Sequence, residues 1–112
     1  MTAVVALEKC DLDKHVTVTA DAVGIEGSSL YLKEGDRYTM RDLLYGLMLQ
    51  SANDAAVAIA VECAGSIEEF ARMMNDKASE LGLTNTHFMN PNGLDCDGHY
   101  TTAFDLARLT SY

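Results

Sequence analysis

Leu43-Leu44-Tyr45-Gly46-Leu47-Met48-Leu49-Gln50 runs through Ser51-Ala52-Asn53 into Asp54-Ala55-Ala56-Val57-Ala58-Ile59-Ala60-Val61, and the reading of this stretch decides the fold. Leu43, Leu44, Leu47 and Met48 recur at helical spacing and predict an amphipathic helix with one buried face. The second run is apolar on every side, as in a helix wrapped by others at the centre of a core. Ser51 and Asn53 are thereby held at a joint between two packed helices. One reading makes them caps, because Ser, Asn and Asp are favoured at the start of a helix. The other makes them chemistry: a hydroxyl and a carboxamide at i and i+2 on rigid supports suit relay of a proton and orientation of an amide.

Working outward, Gly65-Ser66 ends the apolar helix and caps the next, with Glu69 in capping-box position. Ile67, Phe70, Ala71, Met74, Ala78 and Leu81 form a stripe at helical spacing, and Gly82-Leu83 predicts a Schellman stop. Met73 and Met74 read as gap-filler and surface, not as cofactor contacts. On the other side, Val16-Thr17-Val18-Thr19 alternates as a short strand, expected to pair antiparallel with Arg37-Tyr38-Thr39-Met40. The intervening Gly24 to Gly35 is a loop rich in Gly and Ser, with a turn at Lys33-Glu34-Gly35-Asp36. A two-stranded ribbon is marginal alone and must lean on the helices.

Met1 to Glu8 is helix-like and apolar from the first residue, with neither a cap nor a charged leader segment, and its apolar part is too short to span a membrane. Thr102 caps a last helix that runs to Tyr112 without a Gly, Asn or Pro stop, and Asp105 sits at its third position, where a carboxylate suits the helix dipole. Both ends read as cuts through a longer chain. Between them, residues 85–100 hold the only proline, Pro91, and read as a turn-rich loop flanked by His87 and His99, which are expected to be hydrogen-bonding loop histidines.

The chain has 112 residues, 48% of them hydrophobic, enough for one domain and one core. Seventeen acidic against eight basic residues give a net charge of −9, which argues against nucleic-acid and anionic-membrane partners. Cys10, Cys63 and Cys96 are odd in number and irregular in spacing, so no disulfide framework can be read from them; they fit reduced thiols or accidental survivors, Cys63 most simply a small core residue. Cys96-Asp97-Gly98-His99 holds two soft ligands at zinc-like spacing but has no second pair, and a plain loop is the stronger reading.

Taken in order, residues 43–56, Leu81-Gly82-Leu83-Thr84-Asn85-Thr86-His87-Phe88, Asn92-Gly93-Leu94 and His99-Tyr100-Thr101-Thr102-Ala103-Phe104-Asp105 resemble the low-molecular-weight penicillin-binding proteins, the serine D-alanyl-D-alanine carboxypeptidases. The resemblance covers essentially the whole chain. That family uses Ser-x-x-Lys for the nucleophile, Ser-x-Asn, and Lys-Thr-Gly on a sheet strand. Only Ser51-Ala52-Asn53 stands here; Met1-Thr2-Ala3 resembles the residues just downstream of Ser-x-x-Lys on the same helix. Asn92 departs from the His frequent in relatives, so no role is carried to it.

The resemblance implies that residues 1–112 are a mainly α helical subdomain with a short two-stranded β ribbon, part of a β-lactamase/transpeptidase-like catalytic domain. It implies a hydrolase of peptidoglycan stem peptides, open to acylation by β-lactams, without metal or organic cofactor and working outside the cytoplasmic membrane. Ser51 would pass a proton to the leaving amine, and Asn53 would hold the substrate amide and the neighbouring lysine. The chain alone is expected to be inactive, and to self-associate or adopt a partly loosened fold. Two rival readings are a helical interaction module in which Ser51 and Asn53 are only caps, and a catalytically dead relative that binds cell-wall peptides. A class A β-lactamase would place Asp at position 52 and need a deacylating Glu.

Overall fold

In a computed structural model, which describes residues 1–25, 27, 29–93 and 97–112, the elements run α1 (Thr2–Lys9), β1 (His15–Thr17), a 3-10 turn (Ala20–Ala22), β2 (Arg37–Thr39), α2 (Met40–Gln50), α3 (Asn53–Ala64), α4 (Ile67–Glu80) and α5 (Ala103–Ser111). The helices form because their apolar residues fall on one stripe, except in α3, where every residue from Asp54 to Ala60 is buried. α3 is the axle: α1, α2, α4, β1 and the 3-10 turn all pack on it. The all-round apolar run at 54–61 is therefore central, as expected. The radius of gyration, 13.3 Å, matches the roughly 13 Å of a compact 100-residue domain, so the chain closes on its own core.

The ribbon is antiparallel, with His15 opposite Thr39 and Thr17 opposite Arg37. It is shorter than the alternation suggested, because Met40 is fully buried as the first residue of α2, which Thr39 caps through its hydroxyl. Val18 still bonds across to Asp36 and Gly35, and the predicted turn closes between Asp36 N–H and Lys33 C=O. Two apolar clusters flank α3. One joins Val16, Val18, Leu32, Met40, Leu43 and Ile59; the other joins Val5, Ala60, Phe70 and Met74. Each fully buried large side chain contributes roughly 1.5–3 kcal/mol relative to exposure.

Helix ends follow their chemistry. Ser66 Oγ accepts from Glu69 N–H, but the Glu69 carboxylate turns to Arg72, so only half of the capping box forms. Gly82 takes φ +75°, and Leu83 N–H reaches Ala78 C=O while Gly82 N–H reaches Ser79 C=O, which is the Schellman pattern. Lys77, unlooked for in the apolar stripe, is buried with its ammonium bonded to Glu8 at 2.8 Å and to the Tyr112 hydroxyl at 3.0 Å, 4.6 Å above the Tyr112 ring. First the Glu8 hydrogen bond and then that of Tyr112 hold the ammonium well above its ordinary range, against the effect of burial. This contact ties α1, α4 and the end of α5 together.

The cysteines correct the sequence reading. Cys10 and Cys63, 53 residues apart, are joined in a disulfide with their Cα atoms 6.0 Å apart, linking the end of α1 to the last turn of α3. Spacing alone carries no information on such a pairing. Cys96, and with it the zinc-like spacing, lies outside the described residues.

Candidate active site

The α2–α3 joint does not have the shape that capping would give it. The residue before the first helical turn of α3 is Ala52, which has no capping side chain, and Asn53 is already helical. Ser51 ends α2 in the left-handed region, at φ 52° and ψ 39°. The chain thus turns between two helices in two residues. Ala52 is the buried pivot, its N–H directed at Gly46 C=O at 3.4 Å, and Ser51 stays exposed. A non-glycine residue in that conformation is uncommon and is held in place by its surroundings.

Ser51 and Asn53 border a cavity of about 390 Å³. Its floor is apolar, from Leu47 and Met48 of α2, Met74 of α4, and Phe88. Its polar side chains are the hydroxyls of Thr2 and Ser51, the amides of Asn53, Asn90 and Asn92, and the imidazole of His99. Among the described residues no charged side chain lines it. Such a surface suits a neutral peptide backbone, with donors and acceptors to orient it and apolar walls to exclude water.

Buried and half-buried side chains hold the loop of residues 85–93, which contributes Phe88, Asn90, Pro91, Asn92 and Gly93 to the cavity. Thr2 Oγ1 donates to Pro91 C=O at 2.6 Å across a sequence separation of 89 residues. Asn75 receives Phe88 N–H at 2.7 Å and donates to Phe88 C=O at 2.8 Å, copying a strand partner from a helix. Asp105, buried at the start of α5, accepts from Asn85 N–H at 2.9 Å and from the Thr86 hydroxyl at 2.7 Å. Its position at the third residue of α5 fits the expectation, since Thr102 Oγ1 receives its N–H; the grip on residues 85 and 86 was not legible.

The two loop histidines divide. His87 Nδ1 lies 2.6 Å from Gly98 C=O, and because a carbonyl only accepts, that nitrogen carries the proton. His87 is a loop-fastening residue, paired through its backbone with Tyr100. His99 packs edge-on against Phe88 at 5.8 Å, and its Nδ1 is covered and has no hydrogen-bond partner among the described residues.

Asp54, one residue beyond Asn53, is 1% exposed and is the group that sequence reading left at the helix start without a task. It accepts from Ser29 Oγ at 2.7 Å, from Leu30 and Leu32 N–H at 3.0 Å each, and from Ala55 N–H at 2.9 Å. Burial alone would raise its carboxyl; the donors of Leu32, Leu30, Ser29 and Ala55 outweigh burial and hold it below the ordinary value. The one sequence clue was an acid inside an otherwise apolar run.

Comparison with known proteins places this geometry. The family model for D-alanyl-D-alanine carboxypeptidase, peptidase S11, matches residues 1–112. The chain is 42% identical to the carboxypeptidase DacF of Bacillus subtilis over 97% of its own length and 29% of that protein. With DacD of Escherichia coli the identity is 45%, over 88% of this chain and 27% of the other. Among solved structures, penicillin binding protein 6B from Escherichia coli superposes with a TM-score of 0.90 at 40% identity, covering 97% of this chain and 38% of that one. A D-alanyl-D-alanine carboxypeptidase from Mycobacterium tuberculosis gives a TM-score of 0.90 at 38% identity, covering 97% and 42%. The chain therefore spans less than half the length of each of these proteins. With the helical architecture, the Ser51-Ala52-Asn53 joint and a family match over every residue in agreement, the chain belongs to the D-alanyl-D-alanine carboxypeptidase family.

Proposed function

We propose that this chain is the helical subdomain of a serine carboxypeptidase that removes the terminal D-alanine from peptidoglycan stem peptides, and that Ser51 and Asn53 act in that reaction. The observation that carries the proposal is the joint itself. Ser51 is held left-handed at the mouth of an amide-lined cavity, and neither it nor Asn53 serves as the cap of α3.

In the proposed reaction a serine hydroxyl outside these residues attacks the carbonyl carbon between two D-alanines. The C–N bond breaks, the leaving amine takes a proton relayed by Ser51, and water hydrolyses the resulting ester to free the enzyme. Asn53 holds the substrate amide and the lysine beside the nucleophile. Among the described residues no hydrogen bond joins Ser51 to a base, and without that serine and lysine the 112 residues alone are expected to be inactive. β-Lactams, which present a strained amide of similar shape, acylate the same serine.

The substrate places the reaction outside the cytoplasmic membrane. Among the described residues no helix is long and apolar enough to cross a membrane. The test is incubation of the full-length protein with a stem peptide ending in D-Ala-D-Ala. Release of free D-alanine, blocked by prior treatment with penicillin, is expected; no D-alanine and no covalent penicillin adduct would overturn the proposal.

A further inference from the structure

Gly27 stands in a different situation from the chain's other loop glycines. Among the described residues, an added Cβ at Gly24, Gly35, Gly65 and Gly93 would meet nothing within 4 Å, and at Gly82 and Gly98 it would make only ordinary contacts, 3.6 Å from Arg108 and 3.5 Å from Met89 at the nearest. At Gly27 it would collide with Nδ2 of Asn53 and lie 3.6 Å from Asn53 Cγ, and among the described residues beyond its chain neighbours no other atom comes within 4 Å. The space a side chain would fill is thus taken by one group, the Asn53 carboxamide. Gly27 also has φ +87°, which side-chain-bearing residues rarely adopt.

The chain just beyond Gly27 is fastened to the residue after Asn53. Asp54 gathers the N–H groups of Leu30 and Leu32, one on each side of Tyr31, together with the Ser29 hydroxyl. Tyr31 between them is left-handed, at φ 56°, with its side chain 85% exposed and its N–H held by Ser29 Oγ at 2.8 Å. A bulky residue keeps such a backbone only where its surroundings over-determine it, and the buried carboxylate supplies that constraint.

We propose that Gly27 and Asp54 are positioning residues for Asn53: Asp54 pins residues 29–32 to the start of α3, and Gly27, carried by the same loop, forms the surface against which the Asn53 carboxamide rests. The carboxamide is then set in one orientation before substrate arrives, which is what a group that must align an amide requires. This inference rests on the functional reading of Asn53 given above and deepens it.

The experiment is a double-mutant cycle in the full-length protein between Gly27→Ala and Asn53→Ala, read as the second-order rate constant for acylation by benzylpenicillin. Gly27→Ala alone is expected to lower that constant about tenfold or more, and to lower it less than twofold further once Asn53 is Ala. Backbone strain at residue 27 would lower the melting temperature in both backgrounds and would not produce this non-additivity. Ser29→Ala, which removes one donor to Asp54 without adding atoms, should show a smaller loss with the same non-additivity, and serves if Gly27→Ala fails to fold.

A second readout needs no turnover. The Asn53 side-chain amide resonances should shift or broaden in Gly27→Ala and Ser29→Ala while those of Asn75 stay in place. Unchanged Asn53 resonances, or losses that add independently to those of Asn53→Ala, would overturn the inference. Failure of the wild-type protein to acylate would instead count against the functional reading, with the resonances still deciding the positioning role.

Discussion

Ser51 occupies a backbone conformation that costs an L-residue with a side chain about 1–2 kcal/mol, and a glycine there would be free of most of that cost. Ser51→Gly in the full-length protein is therefore expected to raise stability by about 1 kcal/mol in denaturant unfolding while slowing acylation. A stabilised variant with undiminished acylation would make Ser51 a mere turn residue. Asp54 gives a second test. A carboxyl held below its ordinary value of 3.8 adds stability that is fully present above that pH and fades as pH falls through its lower folded value. Asp54→Asn should flatten the acid limb of the stability curve below about pH 3.8; an unchanged limb would contradict the role of its four donors. The place of Ser51 and Asn53 at a joint between two helices was legible because polar residues between two apolar runs stand out. Asp54 and Gly27 were not, because their partners lie 22 to 26 residues away along the chain, and proximity of that kind is a product of the fold.

Among the elements, those whose determinants are local match what their residues imply. The stripe from Phe70 to Ala78, the cap at Ser66 and the stop at Gly82-Leu83 are set by residues within a turn or two of each other, and they came out as expected. The 3-10 turn at Ala20–Ala22 and the burial of Lys77 escaped, since the first has no periodicity and the second depends on Glu8 and Tyr112 from other helices. The Cys10–Cys63 link escaped for the same reason. It closes a loop of 53 residues, and cross-links of this span add about 2–4 kcal/mol, chiefly by restricting the unfolded chain. Cys10→Ser should cost an amount in that range under oxidising conditions and little in the presence of a reductant. Recovery of the Cys10 and Cys63 peptides unlinked after non-reducing digestion of the full-length protein would contradict the pairing.

At the scale of the molecule, one face of the chain is unlike the rest. Leu7 of α1 and Tyr45, Met48 and Leu49 of α2 line a groove of about 370 Å³ with Leu12 and Leu44, and Leu49 and Met48 are 79% and 67% exposed. Apolar side chains gathered in this way on a chain of net charge −9 favour association once they meet water. The isolated 112-residue chain is expected to self-associate, and sedimentation showing an ideal monomer at all concentrations would contradict this. The central claim, that the α2–α3 joint is chemistry in a serine carboxypeptidase, has a more direct test in the full-length protein: the second-order rate constant for β-lactam acylation of Ser51→Ala, measured beside its melting temperature. Loss of a proton relay predicts a fall of about 10² to 10⁴ in the rate constant with a nearly unchanged melting temperature. Near-normal acylation with a lowered melting temperature would contradict the account and return Ser51 to a structural role.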